Sequence, residues 1–289
     1  TPFTGTFDGN NHKISNLTYT TTAYKEYVGL FGYIRNSTIK NLGLENVCLT
    51  SEGYYIGGLV GYNDSSIVTA CYVTGSVSGT GESVGGLVGE NYGTIASSYA
   101  TGSVSGYMDV GGLCGYNVYG TIIACYATSS VSGSHYVGGL VGWNISGAIT
   151  SSFWDLETSG QACSFGGKGL TTEQMKTMSI YQNAGWEGQG WVMEDGADYP
   201  HLSWEGTEGI PIPVAVLPFA GKGTTEEPYL ISTAEEFALL SWYGGILDKQ
   251  IRLMANLDLD GFTLYPIGNL GRFTGDFDGD SHTINNAVI

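Results

Sequence analysis

Between Asn41 and Gly167 the chain carries eight carboxylates, Glu45, Glu52, Asp64, Glu82, Glu90, Asp109, Asp155 and Glu157, and no lysine or arginine. Carboxylates hydrolyse glycosides when two converge at controlled spacing, one giving a proton while the other attacks or activates water. With the repeats described below aligned, no column holds two of these acids on adjacent repeats, so they read as a solvated face. Eliminating a uronate needs a base and a neutralising cation, and this stretch supplies no cation. The chain is therefore expected not to be an enzyme. The other candidate chemistry is aromatic. Tyr62, Tyr116 and Trp143 occupy one repeat column, interrupted by Glu90, and could stack sugar rings; the simpler reading is a ladder that stiffens a sheet.

Other sites are thinner. Sequons stand at Asn16-Leu17-Thr18, Asn36-Ser37-Thr38, Asn63-Asp64-Ser65 and Asn144-Ile145-Ser146. Asn63 and Asn144 belong to an asparagine column that explains them without sugar, which leaves Asn16 and Asn36 as the glycosylation candidates. The stretch Asn256-Leu257-Asp258-Leu259-Asp260-Gly261 lacks the closing glutamate of a calcium loop. Its alternation makes Asp258 and Asp260 the solvent face of a strand. No metal and no cofactor are expected. Five cysteines form no CxxC pair; most read as small core hydrophobes, with one exposed cross-link left open. Cys71 and Cys125 share a column two repeats apart, roughly 10 Å at ordinary strand spacing, too far for a disulfide.

A net charge of −17 over 289 residues repels phosphate backbones and speaks against nucleic acid as a partner. No apolar run approaches the roughly 20 residues needed to span a bilayer, so membrane insertion is not expected. A first residue other than methionine, with no signal sequence, reads as a processed product or an excerpt of something longer.

What must position these residues is a repeat. Val28-Gly29-Leu30-Phe31-Gly32 recurs in variant form at 56–61, 84–89, 110–115 and 137–142, and Leu30, Leu59, Leu87, Leu113 and Leu140 lie 29, 28, 26 and 27 residues apart. Units this short cannot bury their apolar faces alone and must stack. Alignment gives an asparagine column (Asn63, Asn91, Asn117, Asn144, preceded by Ile34), an aliphatic column (Ile39, Ile67, Ile95, Ile122, Ile149) and an aromatic column (Tyr72, Tyr99, Tyr126, Phe153). β-Branched and aromatic runs broken by glycine and asparagine are strand-and-turn chemistry. The expected fold is all-β: a parallel β-helix (β-solenoid), right-handed, with coils of about 27 residues stacked about 4.8 Å apart and short helical caps. One cap is expected over 171–186, with Thr171 and Gln174 at capping-box spacing and Met175 and Met178 turned onto the last coil.

Gly-Gly-Leu-Val-Gly is the signature of the GLUG-motif proteins, which this chain resembles over most of its length. Phe3 to Leu17 also fits their pattern, as do Phe153-Trp154-Asp155, Thr172-Glu173-Gln174-Met175 and Tyr199-Pro200-His201-Leu202. The resemblance implies a secreted or surface-displayed β-solenoid of the kind found in adhesins and in non-catalytic parts of IgA-type metallopeptidases. The peptidase motif His-Glu-x-x-His is absent: the histidines are His12, His135, His201 and His282.

A longer repeat overlies the short one. Phe273-Thr274-Gly275-Asp276-Phe277-Asp278-Gly279 restates Phe3 to Gly9, displaced by 270 residues, and His12 and Ile14 recur as His282 and Ile284. Before it, Ser232 and Glu235 stand at capping-box spacing ahead of Phe237, Leu239, Leu240 and Trp242. The expected organisation is a five-repeat solenoid over 1–166, its cap over 167–209, an extended Pro/Val-rich linker over 210–218, and the opening of a second module over 219–289. The expected function is structural: a repeat subunit or module of an extracellular filament, sheath or adhesin stalk, joined end to end with copies of itself or with neighbouring modules. A glycan-binding adhesin domain acting through Tyr62, Tyr116 and Trp143 is the alternative, and a polysaccharide-active enzyme a more distant one. The expected location is extracellular or at the cell surface.

Overall fold

The computed structural model describes residues 1–215, 217–262, 264–268 and 272–288. The fold is all-β, built mainly of parallel sheets. A five-stranded sheet joins Phe31–Arg35, Val60–Asp64, Val88–Asn91, Cys114–Val118 and Val141–Ile145. A four-stranded sheet joins Ile56–Gly57, Glu82–Gly85, Met108–Gly111 and His135–Gly138. A twelve-stranded sheet runs from Thr6–Ser15 to Lys168–Leu170. In all three, a residue pairs with its counterpart one repeat further on: Tyr33 with Tyr62, Tyr62 with Glu90, Glu90 with Tyr116, Tyr116 with Trp143.

The sheets curl around one apolar core in which Ile34, Leu59, Leu87, Leu113 and Leu140 are inaccessible to solvent. Glycines permit the sharp passage between the two smaller sheets. A methyl group on Gly57, Gly85, Gly111 or Gly138 would overlap the carbonyl oxygen of Val60, Val88, Cys114 or Val141 respectively.

The asparagine column forms a hydrogen-bonded ladder. Asn63 Nδ2 donates to Asn91 Oδ1 at 2.7 Å, Asn91 to Asn117 at 2.7 Å and Asn117 to Asn144 at 2.8 Å. The aromatic column stacks too, with ring centroids 5.0 Å apart for Tyr72–Tyr99 and 4.8 Å for Tyr99–Tyr126, the ring planes nearly parallel in both cases.

The aliphatic column needs one correction. Val68 stands between Ile39 and Ile95, whereas Ile67 pairs with Thr38 and Thr94 and is 45% exposed. The turn after Asn63 is one residue longer than the turn after Asn91. Aligning isoleucine with isoleucine therefore slips the register, and one residue of slip reverses the face.

Residues 171–212 pack against the outer side of the tyrosine ladder. Helices Thr172–Met175 and Met178–Asn183 bury Met175 and Met178 in a second core with Tyr72, Tyr99, Tyr126, Phe153, Trp186 and Trp191. The Thr171–Gln174 capping box forms. The segment reaches well beyond the last repeat, since Trp204 stacks on Tyr72 at 5.6 Å. An outward tyrosine column is a long apolar strip, and covering it buries more area than covering the stack's end alone. Ile210–Pro211 pairs antiparallel with Trp191–Met193, and Ile212 is buried. The stretch read as an extended linker over 210–218 thus begins as a docked strand.

A third core lies in the C-terminal part, around Phe219, Ile231, Leu240, Ile246, Ile251, Leu253, Leu257 and Leu259. Asp258 and Asp260 face solvent between the buried leucines. The helix Ala234–Leu239 is capped by Thr233 with Glu236, one residue beyond the expected Ser232–Glu235 pair. Glu236 accepts from the backbone of both Ser232 and Thr233. Among the described residues no helix is long and apolar enough to cross a membrane.

Candidate functional site

Tyr62, Tyr116 and Trp143 lie on one sheet in the expected column, each half-buried. A second column runs beside them at the start of the four-stranded sheet, within its strands or just ahead of them: Tyr27, Tyr55, Ser83, Asp109 and Tyr136. All five residues have left-handed φ, between 51° and 63°. For aromatic residues that conformation is uncommon and carries a strain cost.

Together the columns form a strip with three parts. At one end Tyr27, Tyr33, Tyr55, Tyr62 and Tyr92 make a continuous aromatic cluster. Tyr27 stacks on Tyr55 at 5.3 Å, and Tyr62 meets Tyr55 at 5.4 Å and Tyr92 at 5.5 Å. At the other end Trp143 contacts Tyr136 at 4.2 Å and Phe165 at 4.4 Å. Between them lies an acidic saddle of Glu90, Ser83 and Asp109, beside Tyr116.

Glu90 is only 5% exposed and Asp109 9%, which corrects the reading of these acids as solvated. Burial pushes the Glu90 carboxyl up to about 7; hydrogen bonds from Tyr92 and Ser83 oppose this, and the charges of Asp109 and Glu82 reinforce it. Burial, reinforced by the charge of Glu82, pushes Asp109 up to about 6. No single column holds two acids, yet adjacent columns bring these together across a turn. Alignment by column has no means of revealing that.

Asp155 is also buried, with a structural role. It caps the short helix Leu156–Ser159 and accepts hydrogen bonds from Tyr199 and Thr172 hydroxyls at 2.6 and 2.8 Å. Asn16 and Asn36 are exposed and left-handed, each between two strands. Cys71, Cys114 and Cys125 are buried as thiols, while Cys48 and Cys163 are exposed. Among the described residues no group of three or more His, Cys, Asp or Glu side chains is placed to hold a metal ion.

A groove of about 360 Å³ runs between the tyrosine ladder and the flanking segment. Its polar tips are engaged within the chain. Tyr72 donates to Glu45 at 2.8 Å, Tyr99 to Glu205 at 2.8 Å and Tyr126 to the Pro200 carbonyl at 2.7 Å. These bonds hold the flank in place.

The glycine-leucine phrases that set this register match the GLUG motif at residues 52–78, 80–105 and 106–132. This chain carries tandem GLUG repeats. The first and fifth phrases lie outside the matched segments. A Gly-rich membrane protein of Evansella cellulosilytica is 37% identical over 169 residues, covering 58% of this chain and 14% of that protein. Halomucin of Haloquadratum walsbyi is 40% identical over 91 residues, 30% of this chain and 1% of the relative. The chain thus spans a small part of either relative's length. No solved structure matches it.

Proposed function

We propose that this chain is a non-enzymatic, surface-associated structural module: a β-helix whose coils form a stiff rod and whose ends join to further copies. The observation that carries the reading is the restatement of residues 3–16 at 273–286, in sequence and in local structure. Asp8 and Asp278 each accept the backbone N–H two residues on at 2.9 Å. Asn10, Asn11 and Asn16 are left-handed, and so are Asp280, Ser281 and Asn286. Two copies of one element, 270 residues apart in the same chain, suit a module that recurs along a longer rod. The GLUG repeats and the names of the two relatives support a place at the cell surface. The asparagine and tyrosine ladders supply stiffness without any catalytic group. Electron microscopy and sedimentation of the purified chain over a range of concentrations test it: ordered end-to-end arrays are expected, and monomers at every concentration would sink it.

The aromatic strip favours a second reading, in which the same rod also binds glycans. Two aromatic clusters lie along one face, which suits sugar rings stacked on tyrosine and tryptophan. Replacing Tyr62, Tyr116 and Trp143 together by alanine should abolish retention on a glycan array while leaving end-to-end arrays intact. Unchanged retention would remove this reading.

A further inference from the structure

We propose that Tyr62 and Tyr92 form an oxidative cross-linking site: with a haem peroxidase and hydrogen peroxide their rings join as dityrosine and tie two successive coils covalently. The inference goes beyond the structural reading above and does not depend on the glycan reading.

The two rings come from neighbouring repeats in the interior of the stack. Tyr62 precedes Asn63 in one coil, Tyr92 follows Asn91 in the next, and the two asparagines pair in register. The Tyr92 backbone N–H donates to the Asn63 carbonyl at 2.7 Å, which fixes the step between the coils. The ring centroids lie 5.5 Å apart with their planes tilted by 37°. The Tyr92 hydroxyl meets both the Tyr62 hydroxyl and the Glu90 carboxyl. Dityrosine forms between ring carbons next to the phenol oxygens, so hydroxyls already in contact bring the bonding edges together. Tyr33 and Tyr55 meet Tyr62 edge to face, at 89° and 77°, and that approach does not set one hydroxyl-bearing edge against another.

Access and a proton acceptor complete the site. Tyr92 is 36% exposed, so an oxidant reaches it from solvent. Tyr72, Tyr99 and Tyr126 are stacked too, but they are buried and each hydroxyl is held by another partner. A phenol that loses an electron must shed its proton, and the Glu90 carboxylate beside Tyr92 is placed to take it.

The step balances. Each phenol gives up one electron and its hydroxyl proton, that of Tyr92 to Glu90 and that of Tyr62 to water. The two phenoxyl radicals couple through one Cε carbon of each ring. Each of those carbons then releases its hydrogen as a proton while each oxygen regains one. The rings lose two hydrogen atoms in all; hydrogen peroxide takes up the two electrons and two protons and leaves as two waters. The new bond closes a loop of about 30 residues and restricts the unfolded chain as a disulfide would, without a thiol.

The test oxidises the full chain with peroxidase and hydrogen peroxide, at a concentration low enough to keep molecules apart. Cleavage of the denatured product after acidic residues releases peptides 53–64 and 91–109. Mass spectrometry is expected to find them joined, short of two hydrogen atoms, with fragmentation placing the link at Tyr62 and Tyr92. Tyr62→Phe and Tyr92→Phe keep the ring and lose the phenol, and each should abolish this product. Tyr119→Phe removes a more exposed phenol, 71% accessible, and should leave it. Glu90→Gln should slow its formation several-fold, with circular dichroism checking that every variant is folded. The linked monomer should melt several degrees above the unoxidised chain, a gain absent in oxidised Tyr92→Phe. Bonds only between molecules, a link from Tyr62 to Tyr33 or Tyr55, or no joined peptides would overturn the site. An unchanged rate in Glu90→Gln would overturn the proton transfer, and a linked monomer that melts with the parent would overturn the tie between coils.

Discussion

Asn91 donates its side-chain amide to the side-chain carbonyl of Asn117 at 2.7 Å and accepts the same bond from Asn63 at 2.7 Å. It also exchanges hydrogen bonds with the backbone of Gly93, both at 3.2 Å. Both asparagines are inaccessible to solvent, so a missing rung cannot be replaced by water from outside. Asn91→Ala strands donors and acceptors on both neighbours and should cost about 3 kcal/mol. Asn91→Asp keeps the volume but loses the donors, and should cost at least as much. Asn144 is half-buried at the end of the ladder, and Asn144→Ala should cost about 1 kcal/mol. Urea midpoints at constant m-value rank the three.

Glu90 makes stability depend on pH in an unusual direction. Its folded pKa of about 7 lies above the ordinary 4.5, so between these values the folded state holds more protons than the unfolded state. Stability therefore falls as pH rises from 4.5 to 7, and the loss is complete above 7. Glu90→Gln removes the charge and keeps the shape. It should be more stable than the parent by about 3 kcal/mol at pH 8, with the difference vanishing below pH 4.5. Thermal melts of both proteins at pH 4, 6 and 8 check this; equal shifts at all three would contradict a buried Glu90.

The repeat period made the columns legible, because residues one period apart must pair if the units stack at all. Asn63 to Asn144 and Tyr72 to Phe153 could thus be placed from spacing. Ile67 could not, because one extra turn residue before it changes which of two adjacent apolar residues faces the core. Glu90 and Asp109 belong to different columns, and their burial together depends on how a turn folds one column against the next. The second core depends on Trp186, Trp191 and Trp204, which follow no period, so nothing in their spacing shows that they lie on the tyrosine ladder. At the helix Ala234–Leu239, two hydroxyls followed by two glutamates offer two equivalent capping boxes, and local sequence does not choose between Ser232 and Thr233.

Gly85 tests whether the signature glycines are there for backbone approach. A methyl group at this position would overlap the Val88 carbonyl oxygen and meet the Gly115 backbone nitrogen at 2.7 Å. Neither is the movable end of a side chain. Gly85→Ala should destabilise by about 3 kcal/mol or more. Gly245→Ala, where nothing lies within 4 Å, should change stability by less than about 1 kcal/mol. Similar midpoints for the two variants would show that the repeat tolerates wider coil spacing.

Lys168 joins the last strand of the large sheet to the C-terminal part. Its Nζ lies 3.1 Å from the centre of the Trp242 ring and 4.6 Å from that of Tyr265, and among the described residues it has no hydrogen-bond partner. Burial pulls its pKa down from 10.5 to about 8, while the ring faces attract the cation and offset part of that penalty. Below pH 8 the folded state carries a costly charge. Between 8 and 10.5 the folded state sheds its proton first, so stability rises with pH across that window. Lys168→Met keeps an apolar stem of similar reach and should be more stable by about 1 kcal/mol at pH 7, the balance of desolvation against ring attraction. That advantage should shrink as pH rises from 8 to 10.5. Trp242→Ala removes the ring and leaves a cavity, and should destabilise by about 3 kcal/mol. If Lys168→Met were instead strongly destabilising at pH 7, the ring attraction would outweigh desolvation and the ammonium would act as a clamp between the two parts of the chain.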